Sequence, residues 1–197
     1  MNGQRPPQSP PRLPGLTFVE LLGAGGFSDV FAYRQDGLDR EVAVKVMLGH
    51  LGPDLARQFE IEARTMAKLS LHYSVVPIHA AGVAPDGRSY LVMQLCDRRS
   101  LAARIARPLP VGRALDITIQ IAGAVETAHR LGIIHRDIKP ANILFITNQR
   151  PALTDFGIAA HMSASSGPNA FSVPWAPPEQ LSGQPVGPEG DVYGLAA

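Results

Sequence analysis

Eight consecutive residues, His135-Arg136-Asp137-Ile138-Lys139-Pro140-Ala141-Asn142, followed after twelve intervening positions by Asp155-Phe156-Gly157, constrain this chain more than anything else in it. Between them, Ile143-Leu144-Phe145-Ile146 and Ala152-Leu153 read as two short strands that deliver the flanking polar residues to opposite sides of one turn. Any fold that accommodates this stretch must place a carboxylate, a cation and two further oxygen-bearing side chains close to one another. Asp137, Lys139, Asn142 and Asp155 supply those types in that order. Phosphoryl transfer needs the same set. A carboxylate orients a hydroxyl nucleophile and takes its proton, a cation meets the developing phosphate charge, and Mg²⁺ takes hard oxygen ligands. Isolated triplets of this kind recur by chance, whereas the eight-residue run with a second motif at short spacing is a strong signal.

Upstream, Thr17 to Leu22 and Phe27 to Tyr33 are rich in β-branched, aromatic and aliphatic residues and enclose Gly23-Ala24-Gly25-Gly26, which predicts a glycine-turned hairpin. The next strand, Glu41 to Met47, alternates so that Val42, Val44 and Val46 share one face while Ala43, Lys45 and Met47 share the other. Asp54 to Leu69 is predicted to be a helix on the spacing of Leu55, Phe59, Met66 and Leu69. Glu62 falls on that apolar stripe, where a carboxylate is costly unless paired, and Lys45 is its candidate partner. Val75-Val76-Pro77-Ile78 and Tyr90-Leu91-Val92-Met93 are expected to complete a small antiparallel sheet. Helices are predicted over Leu101 to Ala106 and Val111 to Leu131, the latter with Ile117, Ile121, Ala124, Ala128 and Leu131 as one stripe.

Taken together, these motifs resemble the eukaryotic-type serine/threonine protein kinase domain, in its bacterial form. The resemblance implies an α+β bilobal fold, with a small antiparallel β N-lobe carrying one helix and a mainly α C-lobe. It places the N-lobe at about 16–95 and the C-lobe at about 96–197. Gly23, Ala24, Gly25 and Gly26 would cover the phosphates of ATP, with Val30 as the trailing valine and Ser28 where the third glycine is usual. Ala43 would pack on the adenine and Lys45 reach the α- and β-phosphates, positioned by Glu62. Met93 would back the adenine pocket, with Gln94, Leu95 and Cys96 as the hinge and Leu144 also against the nucleotide. Asp137 is implied as the catalytic base, Lys139 as the group that steadies the transferring phosphate, and Asn142 and Asp155 as ligands of Mg²⁺, or of Mn²⁺ in its place.

From Ile158 to Pro178 the periodicity is lost, as expected of an activation segment. Ser172 resembles the hydroxyl residue that bonds the catalytic Asp and Lys. Ser163, Ser165 and Ser166 are the candidates for autophosphorylation, for which a homodimer is one suitable arrangement. Arg136 would then receive a phosphorylated residue. Pro177-Pro178-Glu179 stands for the family's Ala-Pro-Glu, and Asp191 begins a helix expected to brace the catalytic loop. The family's domains continue past the point matching Ala197, so the last C-lobe helices are expected to be missing. The alternative reading is therefore a nucleotide-binding pseudokinase or scaffold, or an inactive fragment.

Composition narrows the partners. A formal charge of +1 with no block of like charges argues against a nucleic-acid-binding face and by itself names no macromolecular partner; ATP and proteins bearing Ser or Thr hydroxyls are the partners that the resemblance implies. No stretch has the length of a membrane span, and a single cysteine, Cys96, fits a reducing, cytoplasmic setting. Residues 1–15, with five prolines before Gly15, are expected to be a disordered lead-in.

Overall fold

A computed structural model of the chain describes residues 5–49, 52–156 and 173–197. The chain divides into two compact units, one of residues up to Ser70 together with Pro77–Cys96, the other of Leu71–Val76 and Asp97–Ala197.

The first unit is built on a five-stranded antiparallel sheet of order β1-β2-β3-β5-β4, with β1 Leu16–Ala24, β2 Ser28–Gln35, β3 Arg40–Met47, β4 Ile78–Val83 and β5 Ser89–Gln94. Register sets two faces. Phe31, Tyr33, Val42, Val44, Val46 and Val92 form a buried cluster on one, into which Leu13 and Ala84 also pack. Val30, Ala32, Ala43, Lys45, Leu91 and Met93 share the other. Helix α1, Pro53–Leu69, starts with Pro at its first position, where the missing N–H costs nothing, and buries Phe59, Ala63, Met66 and Leu69.

The second unit contains α2, Leu101–Arg104, the long α3, Val111–Arg130, a two-stranded ribbon of β6, Ile143–Ile146, and β7, Arg150–Leu153, and the helices α4, Pro178–Leu181, and α5, Pro188–Ala196. Helix α3 buries Ile117, Ile121, Ala124, Val125 and Ala128 along one stripe. It ends where Gly132, at φ 74°, donates its N–H to the carbonyl of His129 at 2.9 Å. That left-handed residue stops the helix and turns the chain toward Ile133 and His135. Among the described residues no helix is long and apolar enough to cross a membrane.

Four expectations are corrected. The strand predicted at Val75–Ile78 instead runs over Ile78–Val83. Val75 and Val76 belong to the second unit, where Val76 N–H bonds the carbonyl of Leu153 at 3.0 Å and Leu153 N–H that of Ser74 at 2.9 Å. Pro77 has no N–H to continue a ladder. Leu131 lies just past α3 and is exposed, and α2 ends at Arg104 rather than Ala106. Last, the proline-rich lead-in does not hang free from Arg5 onward. Tyr33 donates its hydroxyl to the carbonyl of Pro11 at 2.6 Å, Arg88 reaches Gln8 and Ser9 at 3.0 Å each, and Leu13 is buried in the sheet's apolar cluster.

Candidate active site

In the first unit, the sheet collects several of the sequence-predicted residues on one face. Val30 lies opposite Lys45 in the β2–β3 ladder, and Lys45 opposite Leu91 in the β3–β5 ladder. Ala43 lies opposite Ala32 and Met93. Lys45 is only 7% exposed, as expected for a cation carried mid-strand among Val, Ala and Leu. Glu62 sits in α1, but its side chain lies outside the described residues, as does any ion pair between it and Lys45. The glycine hairpin closes with Gly25 N–H donating to the carbonyl of Ser28 at 2.9 Å. Gly23, Gly25 and Gly26 are exposed, while Ala24 pairs with Asp29 as the last rung of the ladder.

At the end of β5 and just past it, the hinge residues Gln94, Leu95 and Cys96 are half-buried. Gln94 N–H is taken by the carbonyl of Pro77 at 2.9 Å, and its side-chain amide donates to the carbonyl of Leu95 at 3.1 Å. The Gln94 carbonyl accepts from the Cys96 thiol at 3.6 Å, a weak donor that an incoming N–H can outcompete.

In the second unit the catalytic loop is held from several sides. Asp137 Oδ2 accepts from Lys139 Nζ at 2.7 Å and from Asn142 Nδ2 at 3.0 Å, and Asn142 Nδ2 also donates to the Asp137 carbonyl at 2.8 Å. Asn142 stands immediately before β6 and Thr154 immediately after β7, and Thr154 N–H bonds the carbonyl of Asn142 at 3.0 Å. The ribbon therefore brings Asn142 and Asp155 to the same end of one pair of strands. Leu144, half-buried, alternates with the buried Ile143 and Phe145 on that ribbon. Gly157 and Ser172, and with them Ser163, Ser165 and Ser166, lie outside the described residues.

His135 is the pivot. Its Nε2 meets the carbonyl of Thr154 at 2.9 Å and its Nδ1 accepts Asp137 N–H at 3.2 Å. A carbonyl can only accept and an amide can only donate, so the ring carries its proton on Nε2 and is neutral. Burial pushes its pKa below the ordinary 6.5, against the upward pull of the Thr154 carbonyl and of Asp191, Asp137 and Asp155. Phe156 packs on the ring with centroids 4.7 Å apart. Because the folded form resists protonation, the unfolded chain binds the extra proton first as pH falls. Stability linked to His135 is thus fully present above about pH 6.5 and is lost as pH drops through the lower folded value. Thermal melts from pH 7.5 down to 5.5 are expected to show a steeper fall in wild type than in His135→Asn.

Arg136 in the catalytic loop, at φ 64°, and Asp155 just past the ribbon, at φ 65°, adopt left-handed backbone. Non-glycine residues hold such conformations only when their surroundings enforce them, and they cluster at functional sites. For Arg136 the enforcement is visible. Asp191, 1% exposed at the start of α5, accepts Arg136 N–H on Oδ1 at 2.7 Å and His135 N–H on Oδ2 at 2.8 Å, while Gln180 donates to the Arg136 carbonyl at 3.1 Å. His129, at the end of α3, meets the same Asp191 Oδ2 at 2.7 Å. Further along α5, a Cβ on Gly194 would stand 3.0 Å from the Ile138 carbonyl, so only glycine lets the helix come so close to the loop. His129, Thr154 and Gln180 were not foreseen from sequence. Nothing local marks them, since each meets its partner across a long stretch of chain.

Residues 16–197 match the protein kinase domain family. The chain is 42% identical over 188 residues to serine/threonine-protein kinase PknK of Mycobacterium tuberculosis, covering 93% of this chain and 17% of that protein. It is 35% identical over 187 residues to serine/threonine-protein kinase PknA of the same species, covering 89% of this chain and 43% of that one. Against Pkn1 of Myxococcus xanthus the identity is 33%, over 93% of this chain and 28% of the relative. The chain thus spans less than half the length of these relatives. Among solved structures, the kinase domain of Mycobacterium tuberculosis PknI superposes with a TM-score of 0.71 at 30% identity, over 94% of this chain and 72% of that one.

Proposed function

This chain belongs to the protein kinase domain family, and from that premise we propose that it is an ATP-dependent serine/threonine protein kinase of bacterial type, acting in the cytoplasm on protein hydroxyls. The observation that carries this reading is the Asp137 carboxylate held by Lys139 and Asn142, with Asp155 delivered to the same end of the ribbon as Asn142. Among the described residues both side-chain donors to that carboxylate go to Oδ2, which makes Oδ1 the oxygen for a substrate hydroxyl. Asp137 then orients the hydroxyl and accepts its proton as the oxygen attacks the γ-phosphorus. Lys139, held 2.7 Å from the same carboxylate, keeps a positive charge beside the transferring group.

The donor set suits a hard divalent cation. The Asn142 amide nitrogen is committed to Asp137, so its oxygen is the atom left for a metal, and Asp155 adds a carboxylate. When bound, Mg²⁺ or Mn²⁺ would neutralise phosphate charge. In the first unit, Gly23 to Gly26 and Val30 cover the nucleotide, Ala43 and Met93 meet its base, Gln94 and Cys96 offer backbone groups, and Lys45 binds its phosphates. Ser163, Ser165 and Ser166 are proposed sites of autophosphorylation, and Ser172 is proposed as the hydroxyl that bonds Asp137 and Lys139.

The test is transfer of label from γ-labelled ATP with Mg²⁺ to a generic Ser/Thr-rich protein acceptor, followed by phosphoamino-acid analysis. Phosphoserine or phosphothreonine is the expected product. Lys45→Met is expected to weaken ATP affinity about tenfold, the size of one lost charge-assisted contact. Absence of transfer by wild type, with ATP affinity intact, would overturn the catalytic reading.

A further inference from the structure

Asp29 is a carboxylate with 1% of its surface exposed, placed on the apolar face of the sheet next to Phe31 and Tyr33. Buried charge of this kind is tolerated only when it is paired and hydrogen-bonded. Both of its oxygens are served by the N-terminal segment. Arg5 Nη2 lies 2.5 Å from Oδ1, and Gln8 N–H donates to Oδ2 at 2.8 Å. The same Arg5 nitrogen reaches the carbonyl of Gly25 at 3.4 Å, so one guanidinium spans the glycine hairpin from its tip to its base.

We propose that residues Arg5 to Leu13 are a latch on the glycine hairpin, in which Arg5 and Asp29 are positioning residues that set the affinity for nucleotide. The proposal rests on the reading of that hairpin as the nucleotide cover. Asp29 pairs with Ala24 in the last rung before the loop, and it directly precedes Val30, whose side chain belongs to the opposite face with Lys45. The latch therefore grips the hairpin from behind and leaves the nucleotide face clear. It fixes the rung from which Gly25 and Gly26 project, and a cover that is already ordered loses less freedom when a ligand arrives.

The segment has its own anchorage. Arg88, 8% exposed, ties Gln8 and Ser9 while pairing with Asp86 at 2.6 Å, and Tyr33 holds the Pro11 carbonyl at 2.6 Å. Burial raises the Tyr33 hydroxyl to about 12, which keeps it a donor. Leu13 closes the run in the core. Pro6, Pro7, Pro10 and Pro11 restrict the free chain, so few contacts suffice to dock it.

The test compares wild type with Arg5→Met, Arg5→Lys, Asp29→Asn and Tyr33→Phe, reading equilibrium affinity for ATP and, without nucleotide, amide hydrogen exchange over Gly25 to Asp29. Arg5→Met and Asp29→Asn are expected to weaken affinity roughly fivefold to tenfold and to speed exchange at Gly25 by a similar factor. Arg5→Lys is expected to recover most of both. Tyr33→Phe loosens the segment away from the loop, so it should lower the melting temperature yet leave affinity within about twofold of wild type. Wild-type exchange at Gly25 to Asp29 in both Arg5→Met and Asp29→Asn would overturn the latch. So would a loss of affinity in Tyr33→Phe as large as in Arg5→Met, because that pattern belongs to general stability. If wild type binds no ATP, the nucleotide reading fails, and the exchange comparison alone still decides the latch.

Discussion

Asp137→Asn is expected to lower the rate of phosphoryl transfer by about 10²- to 10⁴-fold while ATP affinity stays within about twofold, because general-base assistance is lost and little else changes. Asparagine has nearly the volume of aspartate, and its amide oxygen can still accept from Lys139 and Asn142, which now meet Asp137 at 2.7 and 3.0 Å. The Asp137 carbonyl bond from Asn142 and the N–H bond to His135 are backbone contacts that the substitution leaves in place. Loop geometry and melting temperature should therefore hold. What disappears is the negative charge that orients a hydroxyl and takes its proton. Single-turnover transfer and equilibrium ATP binding, measured on the same preparations, separate the two effects. Transfer at the wild-type rate would remove Asp137 from the role of base, and a parallel collapse of affinity would mean that the residue acts on binding instead.

The parts of this site that were legible in sequence are those whose geometry is local. Asp137, Lys139 and Asn142 lie within six positions on one loop, and the ribbon that returns Asp155 needs only two short apolar runs with a turn between them. Alternation alone put Ala43 and Lys45 on one face, since the period of a strand is two. The contacts that hold the loop were not legible in the same way. His129 and Asp191 stand 62 positions apart, and no spacing rule joins them. Strand β4 was misplaced because Ala80, Ala81 and Gly82 have poor strand propensity, and its pairing with β5 overrides that. The docked N-terminus was misjudged for another reason. Proline richness usually signals a free linker, yet prolines also reduce the entropy lost on docking, and the deciding partners, Asp29, Tyr33 and Arg88, lie far along the chain.

Asp191→Asn is expected to be the most damaging change outside the reacting groups, because one buried carboxylate satisfies three donors. Oδ1 takes Arg136 N–H, and Oδ2 takes both His135 N–H and His129 Nε2. An amide offers one acceptor in place of two and turns an NH₂ toward a neighbour that is itself a donor. Leaving a buried backbone N–H unsatisfied while weakening the remaining charge-assisted bonds costs about 2–4 kcal/mol. For a chain of 197 residues that corresponds to a fall in melting temperature of roughly 4–16 °C. The loss reaches function through Arg136. Its left-handed φ of 64° is a conformation the chain would otherwise leave, and the residue after it is Asp137. Phosphoryl transfer should drop by about 10²-fold even at temperatures where the variant remains folded, the size of effect that misplacing a reacting group produces. His129→Leu supplies the contrast, since it removes a donor and leaves Asp191 to both backbone amides. A smaller loss of stability with near-normal transfer is expected there. Equal damage from the two substitutions would mean that the hydrogen bond between His129 of α3 and Asp191 of α5, rather than the grip on the loop backbone, is what keeps Asp137 in place.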